Sequence, residues 1–154
     1  MDTLNDIYFS MWTSVISALK NKTLIFQDNK PKLKNWICSG KSNGKYTMVL
    51  TQDRALVKLE FDHNNKDIND YALIQLKDYK EKMESSFGDQ FNWLLPEKNN
   101  ITNISFSKHG YNVHDMQSKE KMIQFLVENI IKLELATREA LIAVKDKIAK
   151  KHFD

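Results

Sequence analysis

Apolar side chains at Leu4, Ile7, Tyr8, Met11, Trp12, Val15, Ile16 and Leu19 recur at intervals of three and four, a spacing that stacks them on one face of a helix. The pattern predicts a first helix over residues 4–20, with Thr3 and Asp6 as its capping pair. A polar, lysine-rich stretch containing Pro31 follows. Beyond it the period drops to two, and three short strands are predicted over 36–39, 45–50 and 54–61. In the third, Ala55, Val57, Leu59 and Phe61 share one face while Arg54, Lys58 and Glu60 point the other way. That alternation belongs to a half-buried antiparallel strand. Connections through Asn43-Gly44 and Thr51-Gln52-Asp53 are short enough for a meander.

Helical spacing returns over 68–86, where Ile68, Ala72, Leu76, Tyr79 and Met83 form the stripe and Asp67 is the expected cap. Gly88 stands where a left-handed residue ends a helix. Two further strands are predicted over 91–95, stopped by Pro96, and 101–107, before a last helix over 117–150. The expected fold is α+β. An antiparallel sheet of about five strands carries an N-terminal helix, a middle helix and a long C-terminal helix, all packed on one face. The whole chain, 1–154, is expected to be a single domain.

The last helix is long. At 1.5 Å per residue it spans roughly 50 Å, against roughly 40 Å for a compact chain of this size. Its apolar row nevertheless continues through Ala140, Leu141, Val144 and Ile148. These four are the expected interface of a homodimer formed through the C-terminal helix. The alternative is that the first helix lies alongside this end and buries it.

Composition narrows the setting. The 154 residues are 42% hydrophobic and 28% charged, with a net charge of +3. No apolar run reaches the roughly 18 residues of a membrane span, so no membrane partner is expected. The acidic start, Met1-Asp2-Thr3-Leu4-Asn5-Asp6, lacks the basic opening of a secretory signal. Cys38 stands alone and can form no internal disulfide, which together predict a cytoplasmic protein. Of 23 basic residues only Arg54 and Arg138 are arginine.

Gly40-Lys41-Ser42 resembles the end of a phosphate-binding loop, but Asn35 stands where its first glycine belongs and a strand follows instead of a helix. The stretch therefore reads as a turn. Asp62 to Asp67 resembles the start of a calcium loop, yet Asp67 replaces the required glycine and Leu73 the required glutamate. His109, His114 and Asp115 read as loop and helix-cap residues without a third strong ligand motif. No catalytic residue, metal or cofactor is assigned.

One asymmetry remains. Between Lys20 and Met48 the chain holds Lys20, Lys22, Lys30, Lys32, Lys34, Lys41 and Lys45 against Asp28 alone, with Trp36 and Tyr46 interleaved. Lysines that neutralise phosphates beside rings that stack on bases make a single-strand-binding pattern. Lys30, Lys32, Lys34, Trp36, Lys41, Lys45 and Tyr46 are the candidate nucleic-acid contacts.

Several of these residues also carry a family likeness. The run Arg54-Ala-Leu-Val57-Lys-Leu59-Glu-Phe61, then Asn65-Lys66, then Leu76 through Met83-Glu84 to Phe87-Gly88, then Trp93, resembles the bacterial domain-of-unknown-function family 4268. Asn35-Trp36 and Ile101 to Phe106 fit the same pattern. The likeness covers about 34–140, leaving 141–154 as a helical extension. Members often stand C-terminal to nuclease-like modules. The resemblance therefore implies a binding or interaction module, not itself an enzyme, associated with bacterial or phage DNA processing or defence. Its implied partner is a protein such as a nuclease or defence protein. The alternative is a divergent metal-dependent nuclease using Glu60 and Asp62 with a divalent ion.

Overall fold

The computed structural model describes residues 3–97 and 100–153. Helix α1, Leu4–Leu19, begins at the expected capping box: Asp6 N donates to Thr3 Oγ1 at 3.2 Å and Thr3 N to Asp6 Oδ2 at 3.0 Å. Its apolar stripe is buried from Tyr8 to Leu19. After an irregular segment come β1 (Trp36–Lys41), β2 (Gly44–Leu50) and β3 (Arg54–Phe61). Helices α2 (Lys66–Lys77) and α3 (Lys80–Phe87) follow, then β4 (Asn92–Leu94), β5 (Thr102–His109) and α4 (Met116–Lys150). The strands form one antiparallel sheet in the order β1-β2-β3-β5-β4. The fold is α+β, as expected. Among the described residues no helix is long and apolar enough to cross a membrane.

The β1–β2 turn differs from the expected one. Lys41 pairs with Gly44, so Ser42-Asn43 forms the loop and Gly44 opens β2. Gly44 has φ +138°, and a Cβ there would stand 2.7 Å from Leu141 Cδ1. The glycine lets the turn sit directly on α4.

The middle helix is two helices. Tyr79 leaves helical geometry at φ −104° and ψ 6°, and its N–H reaches back only to Leu76 O. Leu76 and Met83 are both buried across this break. A spacing of seven fits a continuous helix equally well, so periodicity does not register the interruption. The cap is Asn65, whose Oδ1 accepts from Asp67 N at 2.9 Å, and not Asp67. Gly88 ends α3 at φ +95° with nothing near its missing Cβ. Replacing it by alanine adds only the left-handed penalty, about 1 kcal/mol. Urea denaturation should show that loss at an unchanged slope; an unchanged midpoint would contradict the assigned backbone.

Among the described residues the four helices lie on one side of the sheet. From β3, Ala55, Val57, Leu59 and Phe61 face them and are buried. Helix α4 covers β2 and β3, while α2 packs on β3, β5 and α4. Helix α3 and α1 each pack against α4.

The C-terminal half of α4 does not project. Leu141 sits under Gly44, Lys147 Nζ donates to Gln75 Oε1 of α2 at 3.3 Å, and Phe153 meets Tyr71 edge-on at 5.5 Å. Ala140, Leu141, Val144 and Ile148 are all buried within the one chain. The apolar row on which a dimer was expected is therefore not exposed. Contacts from α2 and the β1–β2 turn cover it at these points, and α1 also packs against α4.

Candidate nucleic-acid interface

Among the described residues no helix packs on the second face of the sheet. The register sets its residues in rows across the strands: Trp36, Val49, Leu56 and Ser107; then Cys38, Thr47, Lys58, Ser105 and Asn92; then Gly40, Lys45, Glu60, Asn103 and Leu94. The first row is mainly apolar, and the third is charged and polar at its centre, from Lys45 to Asn103, with Leu94 at one edge.

Trp36 lies where the apolar row meets the edge of the sheet, with 37% of its surface exposed. Lys32 Nζ lies 5.8 Å and Lys34 Nζ 5.1 Å from its ring, close enough for cation–π attraction. Lys30, Lys32 and Lys34 are exposed, as is Leu33 between them. The segment that carries them is pinned. Trp12 Nε1 donates to Lys34 O at 2.7 Å, Asn35 Nδ2 to Leu50 O at 3.1 Å and Asn29 Nδ2 to Cys38 O at 2.8 Å. Phe26 is buried with its N–H on Ser39 Oγ at 3.2 Å. A polar stretch therefore presents its lysines from a fixed backbone.

The other expected contacts part from this group. Lys41 exposes its side chain at the far end of β1, beside His63 and Lys145. Lys45 faces the uncovered side but is half-buried, hydrogen-bonded to Asp62 and 4.0 Å from Glu60 Oε1. Burial pulls its pKa down, yet the Asp62 hydrogen bond and the Glu60 and Asp62 charges outweigh that and hold it above the ordinary lysine value. Tyr46 points the opposite way, into the helical layer. It is buried, and its hydroxyl lies 2.7 Å from Thr137 Oγ1. Burial pushes its pKa up to about 12. Neighbouring strand residues face opposite sides, so Lys45 and Tyr46 cannot serve one surface. Tyr46 leaves the candidate set.

Glu60 and Asp62 are not free ligands. Glu60 is only 4% exposed, with Thr47, Lys45 and Lys58 around its carboxylate. Its Oε1 accepts from Thr47 Oγ1 at 2.6 Å and its Oε2 lies 3.1 Å from Lys58 Nζ. The Lys45 ammonium already bridges the two carboxylates, where a divalent ion would have to sit. Among the described residues no group of three or more His, Cys, Asp or Glu side chains is placed to hold a metal ion. Asp115 caps α4, accepting from Ser118 N at 2.9 Å, and His109 ends β5 opposite Arg54. Sequence reading missed Lys58 and Thr47 as the partners of Glu60. Strand parity puts all of them on one face, and that was the available signal.

Residues 7–141 match the family described as a domain of unknown function, DUF4268. The chain belongs to this family. No curated protein matches it. The DUF4268 match starts within α1 and ends at Leu141, so it takes in the first helix as well as the sheet and most of α4. It covers the pinned lysine segment and Trp36 entirely.

Proposed function

We propose that this DUF4268 domain is a non-enzymatic binding module that works alongside bacterial or phage DNA-processing or defence proteins in the cytoplasm. Its contact with nucleic acid runs along Lys30, Lys32, Lys34 and Trp36. The observation that carries this reading is the exposed Trp36 ring with two ammonium groups beside it, held on a fixed segment at the rim of an uncovered sheet face. A base stacking on the ring frees both lysines for the phosphates on either side of it. Such contacts tolerate any sequence, since every base has a face to stack.

Fluorescence anisotropy with a labelled single strand of about ten nucleotides tests this. Affinity falls steeply with salt, and replacing Lys30, Lys32 and Lys34 together by glutamine lowers the salt slope by about 2, since each single-strand phosphate contact contributes about 0.7. Trp36→Ala weakens binding about 10- to 100-fold, the equivalent of one lost stack. Absence of binding at about 50 mM salt ends the reading. Cleavage of the strand in Mg²⁺, abolished by Glu60→Gln, would replace it with the metal-dependent nuclease.

A further inference from the structure

At the end of β1 away from Trp36, about 17 Å along the strand, the β1–β2 turn faces α4 across a hollow of about 460 Å³. Lys41, Ser42, Asn43, Gly44, His63 and Lys145 line it, and none of them is a carboxylate. Neither lysine forms an ion pair among the described residues. The carboxylates on the neighbouring segments are already engaged: Asp62 by Lys45 and Asp146 by Lys150. Two unneutralised ammonium groups facing one hollow repel each other, and an anion between them removes that cost.

Of the remaining polar groups His63 and Ser42 can donate, whereas Asn43 Oδ1 is a buried acceptor without a hydrogen-bond partner among the described residues. His63 Nδ1 accepts the Asn65 backbone N–H at 3.3 Å, which places the ring proton on Nε2. Ser42 adds a hydroxyl. The walls are fixed before any ligand arrives. Asp62 N donates to Ser42 O at 3.1 Å, Gly44 packs on Leu141, and Asn69 holds His63 by both its N–H and its C=O at 2.8 Å. The lining comes from three parts of the chain: the turn, the post-β3 segment and α4. Lysine ammonium groups serve phosphate as point charges, and two of them line this hollow.

We infer that this hollow binds a phosphoryl group, either free phosphate or the terminal phosphate of a larger ligand. It shares no residue with the Lys30–Trp36 contact and does not depend on it.

The test is an amide NMR titration of the full chain with inorganic phosphate at constant ionic strength, with chloride as the control anion. Saturable shifts are expected over 41–45 and 63–65 and around Lys145. The Lys41→Gln, Lys145→Gln double variant should weaken binding at least about tenfold, as the loss of two charge-assisted contacts requires. Both side chains are exposed, so its melting temperature should match that of the parent. Shifts that do not saturate, that chloride reproduces, or that survive the double variant overturn the inference. A 5′-phosphorylated oligonucleotide that outbinds its 5′-hydroxyl counterpart assigns a terminal phosphate. Equal binding of the two, with saturable inorganic phosphate, assigns a free anion. The Lys30, Lys32, Lys34 triple variant should leave the phosphate shifts intact, which separates this site from the strand contact.

Discussion

Val144→Glu leaves the chain unfolded. Val144 is 0% exposed, on the face of α4 that meets the rest of the domain. Its replacement forfeits about 1.5–3 kcal/mol of apolar burial. It also places an unpaired carboxylate in the core, which costs several kcal/mol more. The sum is comparable with the whole stability of a domain this size, about 5–15 kcal/mol. Circular dichroism should show the helical signal collapse, with aggregation or expansion in light scattering. Had the row from Ala140 to Ile148 been a subunit interface, the same change would yield a folded monomer. Ile142→Glu is the internal control: Ile142 is 65% exposed on the same helix, and the change should move stability by no more than about 0.5 kcal/mol. A folded Val144→Glu protein with wild-type melting would contradict the packing described here.

Asn69→Ala should cost about 3 kcal/mol. Asn69 is fully buried and its one side chain serves three backbone groups. Oδ1 accepts from His63 N at 2.8 Å, and Nδ2 donates to His63 O at 2.8 Å and Asn100 O at 2.6 Å. Each buried group left without a partner costs about 1–3 kcal/mol, and partial rehydration of the loop offsets some of that. Equilibrium urea unfolding measures the loss. A change below about 0.5 kcal/mol, the range of an ordinary surface substitution, would mean that the clasp does not hold the 62–65 segment. Because His63 hangs from this clasp, the variant should also blur the phosphate-induced shifts.

The sheet was legible in the sequence because its signals are local. Ala55, Val57, Leu59 and Phe61 alternate with polar neighbours over a span that admits only a half-buried strand, and the structure places β3 over the predicted residues. Gly88 was legible for the same reason, since a left-handed helix end asks for glycine at that spot. The break between α2 and α3 was not, because Leu76 and Met83 reach the core with or without a continuous helix. The cover on the end of α4 was not legible either. The expected overhang rested on a spherical estimate of domain width, whereas α2, the turn at Gly44 and Phe153 run alongside the helix.

The candidate surface was legible in part. Lys30, Lys32, Lys34 and Trp36 are neighbours in sequence and stay neighbours in space. Tyr46 was grouped with them by charge and aromatic content, when the period of two already sent it to the other side of β2. The hollow around Lys41 could not be read at all. His63 and Lys145 come from distant parts of the chain, and only the packing of α4 beneath the β1–β2 turn brings them to Lys41.

The central claim is that nucleic acid meets the rim of the uncovered sheet face, and mapping a titration onto the backbone tests it most directly. With a single strand of about ten nucleotides at low salt, the largest amide shifts should fall on residues 30–36 and on the Trp36 indole N–H. Smaller shifts should spread over the outward residues of β1 and β2, and all should fade as salt is raised. Shifts confined to the helical layer around Leu135 and Ile142, or no shifts at low salt, would contradict the account.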